Sequence, residues 1–190
     1  MATAKEATPA RVKRKGAKSG MATEYTGFFK IKPGHANQLV KEILASLTRR
    51  GDVRESYARI GVYDASYTLF DNDTRLLLKI SFDTDFDTYF DDALAILAGG
   101  DKGQTGGSWF NNLEGLPGSF DSLTWEEFKN WLVAQQTEAA IFANTSDGSV
   151  KGIQKALHVQ KAFQQVLDDP EAAQALKHPA LKPLLDEAAV

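Results

Sequence analysis

The chain reads as an α+β protein, with a four-stranded antiparallel sheet, helices on one sheet face, an aromatic insertion and extra C-terminal helices. Three observations predict this. Segments of period-2 and period-3.6 hydrophobicity follow one another in the order β-α-β-β-α-β. The turns between them carry strong breakers, Pro33-Gly34 and Asp71-Asn72-Asp73 among them. The 190 residues, 43% hydrophobic and 25% charged with no cysteine, suit one ordinary globular core and exclude disulfide scaffolds and thiolate chemistry.

A basic tail, residues 1–22, precedes the first strand. Lys5, Arg11, Lys13, Arg14, Lys15 and Lys18 stand there against Glu6 alone, which leaves the body at −8 within a formal total of −3. With a single Val and no aromatic in its first twenty residues, the tail buries too little apolar surface to offset its ordering entropy, so disorder is expected. A solubilising arm or an over-long start explains it. A nucleic-acid tether is the other reading, but no aromatic is interleaved for base stacking and nucleic acid is not an expected partner.

YTGFFKIK at 25–32 is aromatic and β-branched, and Pro33-Gly34 ends it as a first strand. Ala36, Leu39, Val40, Ile43, Leu44 and Leu47 then repeat at helical spacing, closed by Arg49, Arg50 and Gly51. Residues 57–70 and 74–82 form a hairpin around Asp71-Asn72-Asp73, because Asn and Asp tolerate the left-handed turn conformation. Asp83, Thr84 and Asp85 offer N-cap oxygens to a helix carrying Phe86, Tyr89, Phe90, Ala93, Leu94 and Leu97. The acidic run resembles the opening of a calcium loop but has Thr88 and Leu94 where such a loop needs Gly and Glu. A glycine-rich loop at 99–107 lacks the order of a phosphate-binding loop and leads into the aromatic insertion. Thr124-Trp125-Glu126-Glu127 fits a capping box for a short helix ending near residue 136. Residues 138–146 are the expected fourth strand, and Asp147 or Ser149 caps a long helix with Val150, Ile153, Leu157, Phe163, Val166 and Leu167. Pro170 after Asp169 opens a last Ala-rich helical stretch that Pro179 and Pro183 interrupt. The divisions expected are the tail, an α/β domain over 23–168 and a helical extension over 169–190.

The order β-α-β-β-α-β is the ferredoxin-like, split βαβ arrangement. It leaves one sheet face bare, carrying either Tyr25, Gly27, Phe29 and Ile31 or Phe28, Lys30 and Lys32. The first set is too apolar to meet water and would need a partner or the C-terminal helices as cover. Two such sheets face to face would enclose a barrel fit for a mostly apolar ligand. Through GFFKIKPGHANQLVKEI and TLFDNDTRLLLKISFDTDFDTYFDDAL the chain resembles the dimeric α/β-barrel superfamily, over roughly residues 24–168, with similarity to uncharacterised bacterial members. The resemblance implies a homodimer formed through the sheets. It also implies an activity among those of cofactor-free monooxygenases, chlorite dismutases or dye-decolourising peroxidases, with haem admitted as a cofactor. The proximal His those haem relatives need has no motif-matched counterpart here.

The function expected is therefore that of a small-molecule-binding barrel protein, an oxidoreductase acting on an apolar or aromatic compound. The alternative is a non-enzymatic ligand-binding or protein-interaction module, favoured by the lack of a catalytic motif. Tyr67 and His158 are the catalytic candidates by residue type, His158 lying about 100° from Leu157 at the flank of an apolar stripe. Phe29, Ile31, Trp109, Phe110 and Asn111 are the pocket-lining candidates, since the insertion crowds aromatics beside Asn111, Asn112 and Glu114. His35 reads as a surface residue at a helix start. The three histidines show no i, i+4 spacing, and no metal site is expected. No apolar run reaches the roughly 20 residues of a membrane span and no secretory leader is evident, so a cytoplasmic location is expected.

Overall fold

The computed structural model describes residues 16–48, 53–98, 107–143 and 148–188. The tail through residue 15, the Arg49-Arg50-Gly51 helix end, the glycine loop over 99–106 and residues 144–147, Asp147 included, lie outside them. The chain divides into two compact units, residues 1–150 and 151–190.

In the first unit, β1 (Ala17–Ser19), β2 (Ala22–Lys30), β3 (Val62–Phe70) and β4 (Arg75–Phe82) form one sheet in the order β1-β2-β4-β3. All neighbouring strands are antiparallel, so β2 and β3 run parallel to each other on either side of β4. α1 (Ala36–Thr48) and α2 (Val53–Arg59) lie between β2 and β3 in the chain, and α3 (Phe86–Ala98) follows β4. The β3–β4 hairpin forms as its turn residues predict: Asp71, Asn72 and Asp73 take φ of 57°, 53° and 60°. The capping box forms as well, with Thr124 and Glu127 exchanging bonds at the start of α4 (Trp125–Gln135). Asp85 caps α3, accepting from the amides of Asp87 and Thr88 and from the Thr88 hydroxyl, and these donors hold its carboxyl below the usual 3.8.

Several expectations need correction. Residues 17–22, read as tail, belong to β1, its turn and the start of β2. β1 is a three-residue edge strand whose register with Ala22–Glu24 comes from its partner, so no hydrophobic pattern marks it. The fourth strand expected at 138–146 does not form over 138–143. Gln136 bridges Gly27 and the Thr137 amide donates to the Thr26 carbonyl at 2.9 Å, but beyond that point β1 already holds the edge of β2. Tyr57–Arg59, read as strand, closes α2, whose Glu55 and Arg59 suit its dipole, and β3 starts only after Gly61. On α1 the apolar stripe is narrower than the spacing suggests: Leu39 and Ile43 are buried, whereas Val40 and Leu44 are exposed.

The two alternating sets on β2 are assigned the other way round from the barrel expectation. Tyr25, Phe29 and Ile31 turn to the face packed by helices of the same unit, and Phe28 and Lys30 take the bare face. Tyr25 lies 5.7 Å from Phe90, Phe82 stacks on Tyr89 at 4.0 Å, and Phe29 meets Trp131 at 5.3 Å. The Tyr25 hydroxyl donates to the Leu132 carbonyl at 3.0 Å, tying β2 to α4. Gly27 makes this closure possible, because a Cβ there would lie 2.5 Å from the Tyr25 hydroxyl and 2.8 Å from the Phe29 ring.

In the second unit, α5 (Val150–Leu167) continues from the unit boundary, followed by α6 (Ala173–Leu176) and α7 (Lys182–Ala188). Pro170 stands in the first turn of a 3₁₀ segment whose cap, Asp169, accepts from the Glu171 amide at 2.9 Å. Among the described residues no helix is long and apolar enough to cross a membrane.

Candidate functional site

Tyr67, Trp109 and Phe110 come together in the core. The Tyr67 ring meets Trp109 edge-on at 5.6 Å, and Trp109 stacks on Phe110 at 3.7 Å. Phe110 in turn touches Phe120, Phe128 and Trp131, so the insertion is an aromatic layer over the sheet. Burial, and then the neighbouring Tyr57 hydroxyl, push the Tyr67 hydroxyl well above 10.0. Ile31 is buried and bridges Leu113. Asn111 works through its oxygens: its side chain accepts from the Phe120 amide at 2.7 Å and its carbonyl from Lys32 Nζ at 2.8 Å. His158 is exposed on α5 and belongs to the second unit, whereas Tyr67 belongs to the first. Among the described residues no three His, Asp or Glu side chains converge.

Asn112, named in sequence only as a polar neighbour of the aromatics, is the latch of the insertion. At 4% exposure its Oδ1 lies 2.9 Å from His35 Nδ1, and its Nδ2 donates to Glu42 Oε2 at 3.0 Å and to the Trp109 carbonyl at 3.1 Å. Its own carbonyl accepts from the Lys32 amide at 2.9 Å. The 3₁₀ turn Ser108–Asn112 is thereby fixed to both α1 and the end of β2.

The sheet face turned from the helices is built from four cross-strand rows, Glu24–Ser81–Asp64, Thr26–Lys79–Ser66, Phe28–Leu77–Thr68 and Lys30–Arg75–Phe70, of which Glu24, Ser81 and Thr26 are buried while Asp64, Ser66, Phe28, Thr68, Lys30 and Arg75 are exposed. It is acidic at one end and basic at the other, with an apolar middle where Phe28 and Phe70 meet edge-on at 5.7 Å. Near the acidic end Glu24, 4% exposed, is paired diagonally with Lys79 at 3.0 Å and accepts from the Thr26 hydroxyl at 2.8 Å. Ile141, Phe142 and Ala143 close a cavity of about 110 Å³ there with Ala22, Tyr63, Asp64, Lys79 and Ser81. The Tyr63 hydroxyl donates to the Gly148 carbonyl at 2.7 Å. Sequence reasoning missed Glu24 because the strand was started at Tyr25; the alternation Glu24, Thr26, Phe28, Lys30 was the available signal.

A second concavity lies on the β2 edge away from β4, between its bridges to Gln136 and Leu113. It is a cleft of about 390 Å³ lined by Phe28, Phe29, Lys30, Arg75, Glu114, Gly115 and Gln135. Of the pocket-lining residues expected from sequence, Phe29 contributes a wall here. No family model, curated protein or solved structure matches this chain.

Proposed function

We propose that this chain is a non-enzymatic interaction module of the ferredoxin-like, dimeric α/β-barrel kind, whose bare sheet face closes on the same face of a second copy. The observation that carries the reading is the polarity of that face, with Asp64 exposed at one end, Lys30 and Arg75 exposed at the other and Phe28 exposed between them. A two-fold axis between the two sheets, parallel to them and running across the strands, sets each acidic end over the partner's basic end and brings the two apolar middles together. Such an isologous contact satisfies both patches at once. Phe29 and Ile31 turn toward the helices, so a guest held between the paired sheets would meet Asp64, Ser66, Thr68 and Phe28. That lining suits a polar compound better than an apolar one.

Sedimentation equilibrium of the full chain tests the reading. A dimer is expected within a range of about 1 to 100 μM, the weak end of specific association. Asp64→Lys should weaken it by about tenfold, the worth of roughly 1.4 kcal/mol, and adding Arg75→Glu to that variant should restore it. A monomer throughout, or a charge swap that restores nothing, sinks the proposal.

A further inference from the structure

We infer that α5 is a surface-seeking helix that lies on an anionic lipid bilayer, in the plane of its headgroups. The reason begins with how little covers it. Among the described residues of the second unit none is buried, and three large apolar side chains of α5 stand well into solvent, Leu157 at 57%, Val159 at 58% and Val166 at 43%. Ile153, Phe163 and Leu167 are only half-buried. At about 100° per residue these six fall within one half of the helix circumference, from Val166 and Val159 through Phe163, Leu167 and Ile153 to Leu157, with Gln160 and Gln164 as the polar interruptions. An apolar face of that width calls for a cover.

Charge identifies the cover. From Val150 to Leu167, α5 carries Lys151, Lys155, Lys161 and His158 and no carboxylate. All three lysines are exposed, and no ion pair engages them among the described residues. Lys155 stands about 20° beyond Val166 and Lys161 about 40° beyond Leu157, so an ammonium borders the apolar half on each side, while Lys151 and His158 occupy the middle of the opposite face. With the apolar half set among the acyl chains, the bordering lysines reach headgroup phosphates and carboxylates along their own methylene stems. A protein groove takes a narrow stripe of anchors at i, i+3, i+4 and i+7, and half a circumference overfills it. A second copy of α5 would set the bordering ammonium groups of the two helices against each other. The helix lies along the surface and does not cross it, since no helix among the described residues is long and apolar enough to span a bilayer.

The inference does not rest on dimerisation, because the sheet face proposed for that contact belongs to the first unit. The test is co-sedimentation of the full chain with vesicles of phosphatidylcholine alone and with about 30% phosphatidylserine. Binding to the anionic vesicles is expected, at least about tenfold tighter than to the neutral ones and weakening as salt screens the lysines. The exposed substitution Leu157→Glu, whose far-ultraviolet circular dichroism should match the parent's, should lower binding by about tenfold or more. Lys155→Glu with Lys161→Glu should abolish the preference for phosphatidylserine. Val159→Leu should raise binding by about fourfold through one more methylene in the acyl layer, a gain that misfolding does not produce. The basic tail is the rival source of attraction: binding that survives Leu157→Glu but is lost on Lys13→Glu, Arg14→Glu and Lys15→Glu together overturns the inference. Equal binding to both vesicles overturns it too, as does binding to neither, which leaves an acidic protein surface as the cover of α5.

Discussion

Replacing Asn112 with alanine probes how the aromatic insertion is held to the sheet. The side chain is 4% exposed and makes three polar contacts at 2.9 to 3.1 Å, to His35, Glu42 and the Trp109 carbonyl. Alanine keeps the backbone bond from Lys32 but removes all three. His35 and Glu42 lie toward solvent and recover much of their loss from water, whereas the Trp109 carbonyl keeps no side-chain donor. One buried unmet group and two partly recovered bonds amount to about 2 to 3 kcal/mol. For a chain of this length that is a fall of about 5 to 10 °C in Tm. All three tryptophans belong to the first unit, so a near-ultraviolet circular dichroism melt reads that unit alone. Asn112→Asp separates the latch from simple packing. Aspartate is nearly isosteric and still accepts from His35, but it places a carboxylate against Glu42 and the Trp109 carbonyl. It should cost at least as much as alanine at neutral pH and recover in part below about pH 4, where carboxylates take up protons. A Tm within about 1 °C of the parent for both variants would refute the latch, because even one ordinary buried hydrogen bond moves it further.

Two other perturbations follow from the same structure. Gly61 has φ of +74°, and a Cβ added there would lie 1.8 Å from Asp83 Oδ1, whose Oδ2 accepts from the Val150 amide at 2.7 Å. Gly61→Ala should therefore cost about 2 to 4 kcal/mol through backbone strain and the displaced carboxylate; a chemical-denaturation midpoint equal to the parent's would contradict this. Tyr25, Tyr67 and Tyr89 all have hydroxyls pushed far above 10.0 chiefly by burial. Their folded forms keep protons that the unfolded chain loses above pH 10, so stability is full below that pH and falls as pH rises beyond it, by about 4 kcal/mol per unit for three groups. Tyrosinate absorbance should rise in a cooperative step coincident with unfolding. A smooth titration of all five tyrosines near pH 10 with the fold intact would show the burial argument to be wrong.

What the sequence determined by itself is what local physics decides. The Asp71-Asn72-Asp73 turn, the Thr124 and Glu127 capping box, the Asp169 cap before Pro170 and the stripe through Leu39 and Ile43 each depend on residues within a turn or two of one another. Alternation along β2 likewise separates Tyr25, Phe29 and Ile31 from Glu24, Phe28 and Lys30. It does not say which set meets the helices, because both sets carry aromatic rings and the choice rests on where α3 and α4 pack. Only the tertiary structure decided that choice, and with it that the bare face is charged at its two ends. It also decided that β1 and not residues 138–143 completes the sheet, since an edge pairing is won by whichever segment reaches Ala22–Glu24 in register. The Asn112 latch joins residues 70 and 77 positions apart, the Glu24–Lys79 pair bridges two strands diagonally, and the β2-edge cleft takes its walls from β2, β4, α4 and the insertion. Such sites have no spacing to read in sequence, because their geometry exists only once the long loops have closed.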